Sequence, residues 1–172
     1  MKQLSQPIHP DLIDAIKYVY EPNKWKINNL VREKESFEYG ATEFILNQHN
    51  IKFRVAKTTP KKNGQFVTLW KRAGSGSIQP FDMADSFDLV VISTRSSTHF
   101  GQFIFPKNLL HKKGIVSKDE IGGKLAIRVY PPWDIANSKQ AIKTQKWQLP
   151  YFFEINEGMG LSNIKKLFFN QT

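Results

Sequence analysis

Three aspartates, Asp82, Asp85 and Asp88, stand three residues apart in this 172-residue sequence. Carboxylates so grouped could ligate a hard divalent cation, which polarises a phosphate and lowers the pKa of a bound water. Aspartates ahead of a strand are also common turn formers, and Asp82 and Asp85 read better that way. Asp88 differs. It opens the apolar run Leu89–Ile92, and Lys107 follows nineteen residues later at the end of the next apolar segment, Phe103-Ile104-Phe105-Pro106-Lys107. Other chemistries find no residues to carry them. The chain has no cysteine, which excludes disulfides and thiolate metal sites, and His9, His49, His99 and His111 lie far apart without metal-ligand spacing. No Gly-rich loop runs into Lys-Ser or Lys-Thr, Gly74–Gly76 lacks a strand-then-helix setting, and there is no nucleophile-elbow serine.

What the chain has in quantity is positive charge: 25 Lys and Arg against 15 Asp and Glu, a net +10. The excess is internal. Phe44–Phe81 contains no acid and carries Lys52, Arg54, Lys57, Lys61, Lys62, Lys71 and Arg72. Leu89–Lys118 is also acid-free, with Arg95, Lys107, Lys112, Lys113 and Lys118, as is Ile135–Phe153, with Lys139, Lys143 and Lys146. Residues 44–153 thus hold 17 basic and six acidic residues, so the charge is no appended tail. A basic surface also serves solubility, but this distribution makes DNA or RNA the leading partner. The candidate contacts are Lys52, Arg54, Lys57, Lys61, Lys62, Lys71, Arg72, Lys107, Lys112, Lys113 and Arg128. Tryptophan more often packs in a core than stacks on bases, so Trp70 and Trp147 are assigned to packing. Trp133 follows two prolines in a loop and joins the candidate binding set. Lys139, Lys143 and Lys146, spaced by four and three, share one helix face, which is equally suited to phosphates or to solvent.

These side chains need elements to hold them. After Pro10, the spacing of Leu12, Ile13, Ile16, Val19 and Tyr20 predicts an amphipathic helix ending near Glu21-Pro22. A second helix is expected from Ser36 to Asn47, with Glu43 in its middle. Ile51, Phe53 and Val55 alternate with Lys52 and Arg54 as a strand, paired in a hairpin with Phe66–Trp70 through the turn Asn63-Gly64. Gly and Ser make Arg72–Asp85 a loop. Strands follow at Leu89–Ile92, Phe100–Pro106, Leu125–Tyr130 and Tyr151–Ile155, and helices at Asn108–Lys112, Ala136–Leu149 and Ser162–Phe168. The order predicts a mixed central sheet flanked by helices, of the α/β or α+β class. One domain over 1–172 is expected, with a helical extension over 1–35, a core over 36–156 and a terminal helix over 157–172. No apolar run is long enough to cross a bilayer, and Met1–Lys17 has no signal-peptide pattern, so a cytoplasmic protein is expected.

Four longer motifs add to this reading: Gly64-Gln65-Phe66-Val67-Thr68-Leu69-Trp70-Lys71-Arg72, Gly101-Gln102-Phe103-Ile104-Phe105-Pro106-Lys107, Arg128-Val129-Tyr130-Pro131-Pro132-Trp133-Asp134 and Thr144-Gln145-Lys146-Trp147-Gln148. Over about residues 36–156 they resemble the MepB family, which is associated with a multidrug efflux gene cluster. The Asp88-to-Lys107 arrangement is similar to the PD-(D/E)XK nuclease core, where an aspartate and an acid-X-Lys converge on divalent metal, often with a glutamate from the preceding helix. The resemblance implies a restriction-endonuclease-like fold, a basic crevice for nucleic acid and no established catalysis. It makes Glu43, Asp88 and Lys107 vestigial catalytic candidates. The residue two before Lys107 is Phe105, which cannot ligate metal, and Gln102 falls on the opposite face. The expectation is a low-specificity nucleic-acid binder without a cofactor, with Asp88 and Lys107 in a crevice where Phe105 fills the carboxylate's place. Two alternatives stay open: a divergent Mg²⁺-dependent nuclease that uses Asp88, Lys107 and Glu43 or Gln102, or a protein- or ligand-binding accessory of the efflux system.

Overall fold

The computed structural model describes residues 7–169. His9 caps α1 (Pro10–Ala15), its Nδ1 accepting from the Asp11 amide at 3.1 Å, and a π-helical turn over Ile16–Tyr20 continues it. The strands are β1 (Ile27–Arg32), β2 (Thr42–Leu46), β3 (His49–Val55), β4 (Lys57–Thr59), β5 (Lys62–Thr68), β6 (Trp70–Arg72), β7 (Ile78–Pro80), β8 (Leu89–Arg95), β9 (Phe100–Pro106), β10 (Ala126–Val129) and β11 (Phe152–Glu154). Helices α2 (Lys107–Lys112), α3 (Lys139–Gln148) and α4 (Leu161–Phe169) complete the mixed α+β chain. A six-stranded sheet has the order β1-β2-β3-β8-β9-β11, antiparallel except for the parallel pair β3 and β8. Beside it stand a three-stranded sheet, β10-β5-β4, and the β6-β7 pair.

β8 and β9 are buried on both faces, and strict alternation sorts their side chains into two cores. Leu89, Val91 and Ile104 join Leu12, Tyr20, Phe53 and Phe168 on one side. Val90, Ile92, Phe103 and Phe105 join Leu69, Leu110 and Val129 on the other. Among the described residues no helix is long and apolar enough to cross a membrane.

Two sequence expectations are corrected here. Residues 36–47 form not a helix but a 3-10 turn (Phe37–Tyr39) followed by β2. The strand buries Thr42, Phe44 and Leu46 and exposes Glu43, so the two-residue period prevails because β1 and β3 flank it. Gly40, at φ +61°, marks the break, since a Cβ there would stand 2.9 Å from Val55 Cγ2. The segment before residue 36 is likewise not only helical, since it supplies β1. The second correction concerns the hairpin. β3 pairs with β2 and β8, whereas β5 pairs with β4 through a turn at Pro60-Lys61 and with β10. Gly64 lies inside β5 at φ +76°, a conformation that favours glycine, and a Cβ there would also meet the Tyr130 ring at 2.5 Å.

Candidate nucleic-acid interface

Backbone pairing brings Asp88 and Lys107 together, the Lys107 amide donating to the Asp88 carbonyl at 3.0 Å, but their side chains part. The exposed Asp88 carboxylate accepts from the Asn50 amide at 2.7 Å. The Lys107 ammonium donates to the Asp85 carbonyl at 2.8 Å and lies over the Phe87 ring. Glu43 stands on β2, directly opposite Lys52 and ion-paired with it. Phe105 is fully buried, 5.3 Å from the rings of both Phe103 and Trp147. Its place is in the core and not in a crevice between Asp88 and Lys107. Gln102 is buried opposite Ser93, and neither of its amide atoms finds a hydrogen-bond partner. Among the described residues no three His, Asp or Glu side chains are grouped to hold a metal ion.

The candidate basic residues divide by their partners. Arg54 is fully buried, its Nη1 and Nη2 donating to the Glu33 carboxylate at 2.6 and 3.1 Å, which withholds it from any phosphate and corrects its inclusion among the binding residues. Lys52 pairs with Glu43, Lys57 with Glu38 at 3.2 Å, and Lys71 with Asp85 at 2.5 Å. Arg72 makes a two-pronged pair with Glu35 at 2.7 and 3.0 Å, which holds the Glu35 carboxyl below its ordinary range. A stretch that is acid-free in sequence is therefore not so in space, because Glu33, Glu35, Glu38 and Glu43 fold back over it. Trp133 lies apart from these residues, stacked on His99 at 5.0 Å and edge-on to Phe152.

The remaining candidates converge. A groove of about 1010 Å³ runs between the β4-β5-β10 sheet, α2 and α3. The β4-β5 turn supplies Lys61, the start of β5 supplies Lys62, the end of α2 supplies Lys112 and Lys113, β10 and the residues before it supply Arg128 and Lys124, and α3 supplies Lys143. No acidic residue lines it, and none of these seven cations has an ion-pair partner among the described residues. Arg128 is held by neutral atoms only, Thr59 Oγ1 at 2.8 Å and the carbonyls of Asn63 and Gly64 at 3.3 and 3.4 Å. Lys124 and Lys143 were outside the candidate set: Lys143 had a signal in its helix-face spacing, whereas Lys124, beyond Gly122-Gly123, had none.

Two buried polar groups hold elements that lead to this groove. Gln148 ties α3 to β10, accepting from the Tyr130 amide at 2.9 Å and donating to the Arg128 carbonyl at 3.0 Å. Asp82 anchors the loop that leads to Lys124, accepting from the Ala84 amide, the Ser117 hydroxyl and the Glu120 amide, and these bonds pull its pKa down to about 2.

The MepB-like family model matches residues 33–154. No curated protein matches the sequence. Among solved structures, the crystal structure of MepB superposes with a TM-score of 0.75 and 34% identity over 87% of this chain and 99% of that one. A bacterial homing endonuclease, I-Ssp6803I, shows a much weaker likeness, with a TM-score of 0.44 and 14% identity over 86% of this chain and 90% of that one. Since the family model spans most of the chain and a solved relative is a third identical over nearly all of it, this protein belongs to the MepB-like family.

Proposed function

We propose that the chain binds DNA or RNA through this groove with little sequence preference, on a nuclease-like scaffold that does not complete a catalytic centre and needs no cofactor. The observation that carries the reading is the sorting of charge. Lys52, Arg54, Lys57, Lys71 and Arg72 are each paired with a carboxylate, while seven cations that no carboxylate neutralises share one concavity and focus a positive field there. Six of the seven are lysines, point charges that attract phosphate without reading bases. The single arginine is engaged by neutral atoms and not displayed as a free fork for guanine. Binding titrations over a salt series, using mixed-sequence DNA and RNA strands, test this. The combined variant Lys61→Glu, Lys124→Glu is expected to lose at least about tenfold in affinity and to flatten the salt slope, whereas Arg72→Ala leaves both unchanged. Unchanged binding by the groove variant, or negligible binding by the wild type at physiological salt, overturns the proposal and favours a protein or ligand partner.

A further inference from the structure

We infer that the groove takes a single strand, one base of which stacks on Trp147 as Lys113 leaves that ring for a phosphate. This rests on the nucleic-acid reading above and adds the form of the ligand. Trp147 and Phe66 both line the groove and are half-buried, so their rings belong to its wall and not only to the core. Each is covered by a cation without a carboxylate: Lys113 Nζ stands 5.3 Å from the Trp147 centroid, and the Arg128 guanidinium 5.7 Å from that of Phe66. Trp147 also touches Phe105 at 5.3 Å, which backs the indole with core packing.

A duplex offers a protein its phosphate ridges and groove edges and keeps the faces of its bases stacked inside. For that ligand an aromatic wall inside a concavity has no use. A single strand presents the faces of its bases, and proteins that bind single strands combine a basic groove with exposed rings. At about 1010 Å³ the groove is at the upper end of the roughly 300–1,000 Å³ that enclose small organic ligands. A few nucleotides of a single strand fit in such a space. The exchange is favourable at both ends: base stacking on an indole exceeds an exposed cation–π contact, and the released Lys113 ammonium gains an anionic partner that it otherwise lacks.

The test uses three ligands with the wild-type chain at one salt concentration: a twelve-residue oligothymidylate, an abasic strand of the same length, and a twelve-pair duplex. The first two carry the same phosphates and differ in bases alone. The expected result is binding of oligothymidylate about tenfold or more tighter than either of the others. Trp147→Leu should bring oligothymidylate down to the abasic level without changing duplex affinity, and Trp147→Phe should restore most of the difference. Equal affinity for the abasic strand, or a preference for duplex, overturns the inference and leaves the nucleic-acid reading standing. An unaltered preference in a folded Trp147→Leu variant also overturns it, by moving the stacking elsewhere. Failure of all three ligands to bind at low salt removes the nucleic-acid reading itself. Should Trp147→Leu fail to fold, the abasic comparison on the wild type decides.

Discussion

Arg72 and Lys124 carry the same formal charge and differ in what faces them. Arg72 is exposed and neutralised by Glu35, a surface pair that solvent and salt screen, so Arg72→Ala is expected to shift stability little. Lys124 has no such partner, and its replacement by alanine should lower the slope of log K against log salt by about 0.7 for a single-strand contact or about 0.9 for a duplex one. Affinity titrations at four salt concentrations give this slope. Asp82 is one residue through which pH acts on the fold. Its hydrogen bonds hold the native pKa at about 2, below its ordinary 3.8. A depressed carboxyl pKa contributes stability above the unfolded value, and that contribution is lost as pH falls through the folded one. Asp82→Ala should therefore melt below the wild type at pH 7, with the gap closing between about pH 4 and pH 2 in thermal denaturation scans.

Helix α3 illustrates how an element positions a site without contributing most of its charge. Ser138 caps it, its Oγ accepting from the Ala141 amide at 3.1 Å, and Gln145 donates to the carbonyls of Tyr130, Pro131 and Asp134. Gln148 is fully buried and serves both the Tyr130 amide and the Arg128 carbonyl. Gln148→Leu keeps similar bulk but strands both backbone groups, at about 1–3 kcal/mol for each. Chemical denaturation should show that loss. Binding should weaken as well, because Lys143 and Trp147 move with the helix. Strand β9 makes a complementary case on the core side of the same wall. Phe105→Ala removes a ring packed against Phe103, Trp147 and Tyr151, and is expected to cost about 3–5 kcal/mol in the same assay.

At the scale of the whole molecule, two hydrophobic cores on opposite faces of one sheet share β8 and β9. The charged groove lies on the side that contains Phe105, and the possible metal-binding side chains are dispersed. Asp88 is engaged by Asn50, Glu43 by Lys52, and Lys107 by the Asp85 carbonyl. The expected outcome of incubating the protein with DNA or RNA in Mg²⁺ or Mn²⁺ is no cleavage, together with binding that is indifferent to a chelator. Metal-dependent cleavage abolished by Asp88→Ala or Lys107→Ala would instead require these side chains to regroup around an ion.

Local pattern alone made much of this fold legible. Apolar runs and helical spacing marked β8, β9, β10 and α3, since burial on a two- or 3.6-residue period is written directly into neighbouring residues. The motifs around Gly64, Gly101, Arg128 and Thr144 identified the family, and the net charge and the phenylalanine at position 105 needed no coordinates. Residues 36–47 were not legible in this way, because Phe37, Ala41, Phe44 and Ile45 satisfy a helical period and only the flanking strands β1 and β3 select β2. The binding surface was legible in part. Which lysines remain free depends on charges within a few ångströms in space, and Glu33, Glu35, Glu38 and Glu43 reach their cations from 9 to 37 positions away in the chain. An ion pair depends on proximity and not on chain order, so tertiary structure alone separated the candidate cations that carboxylates neutralise from those of the groove.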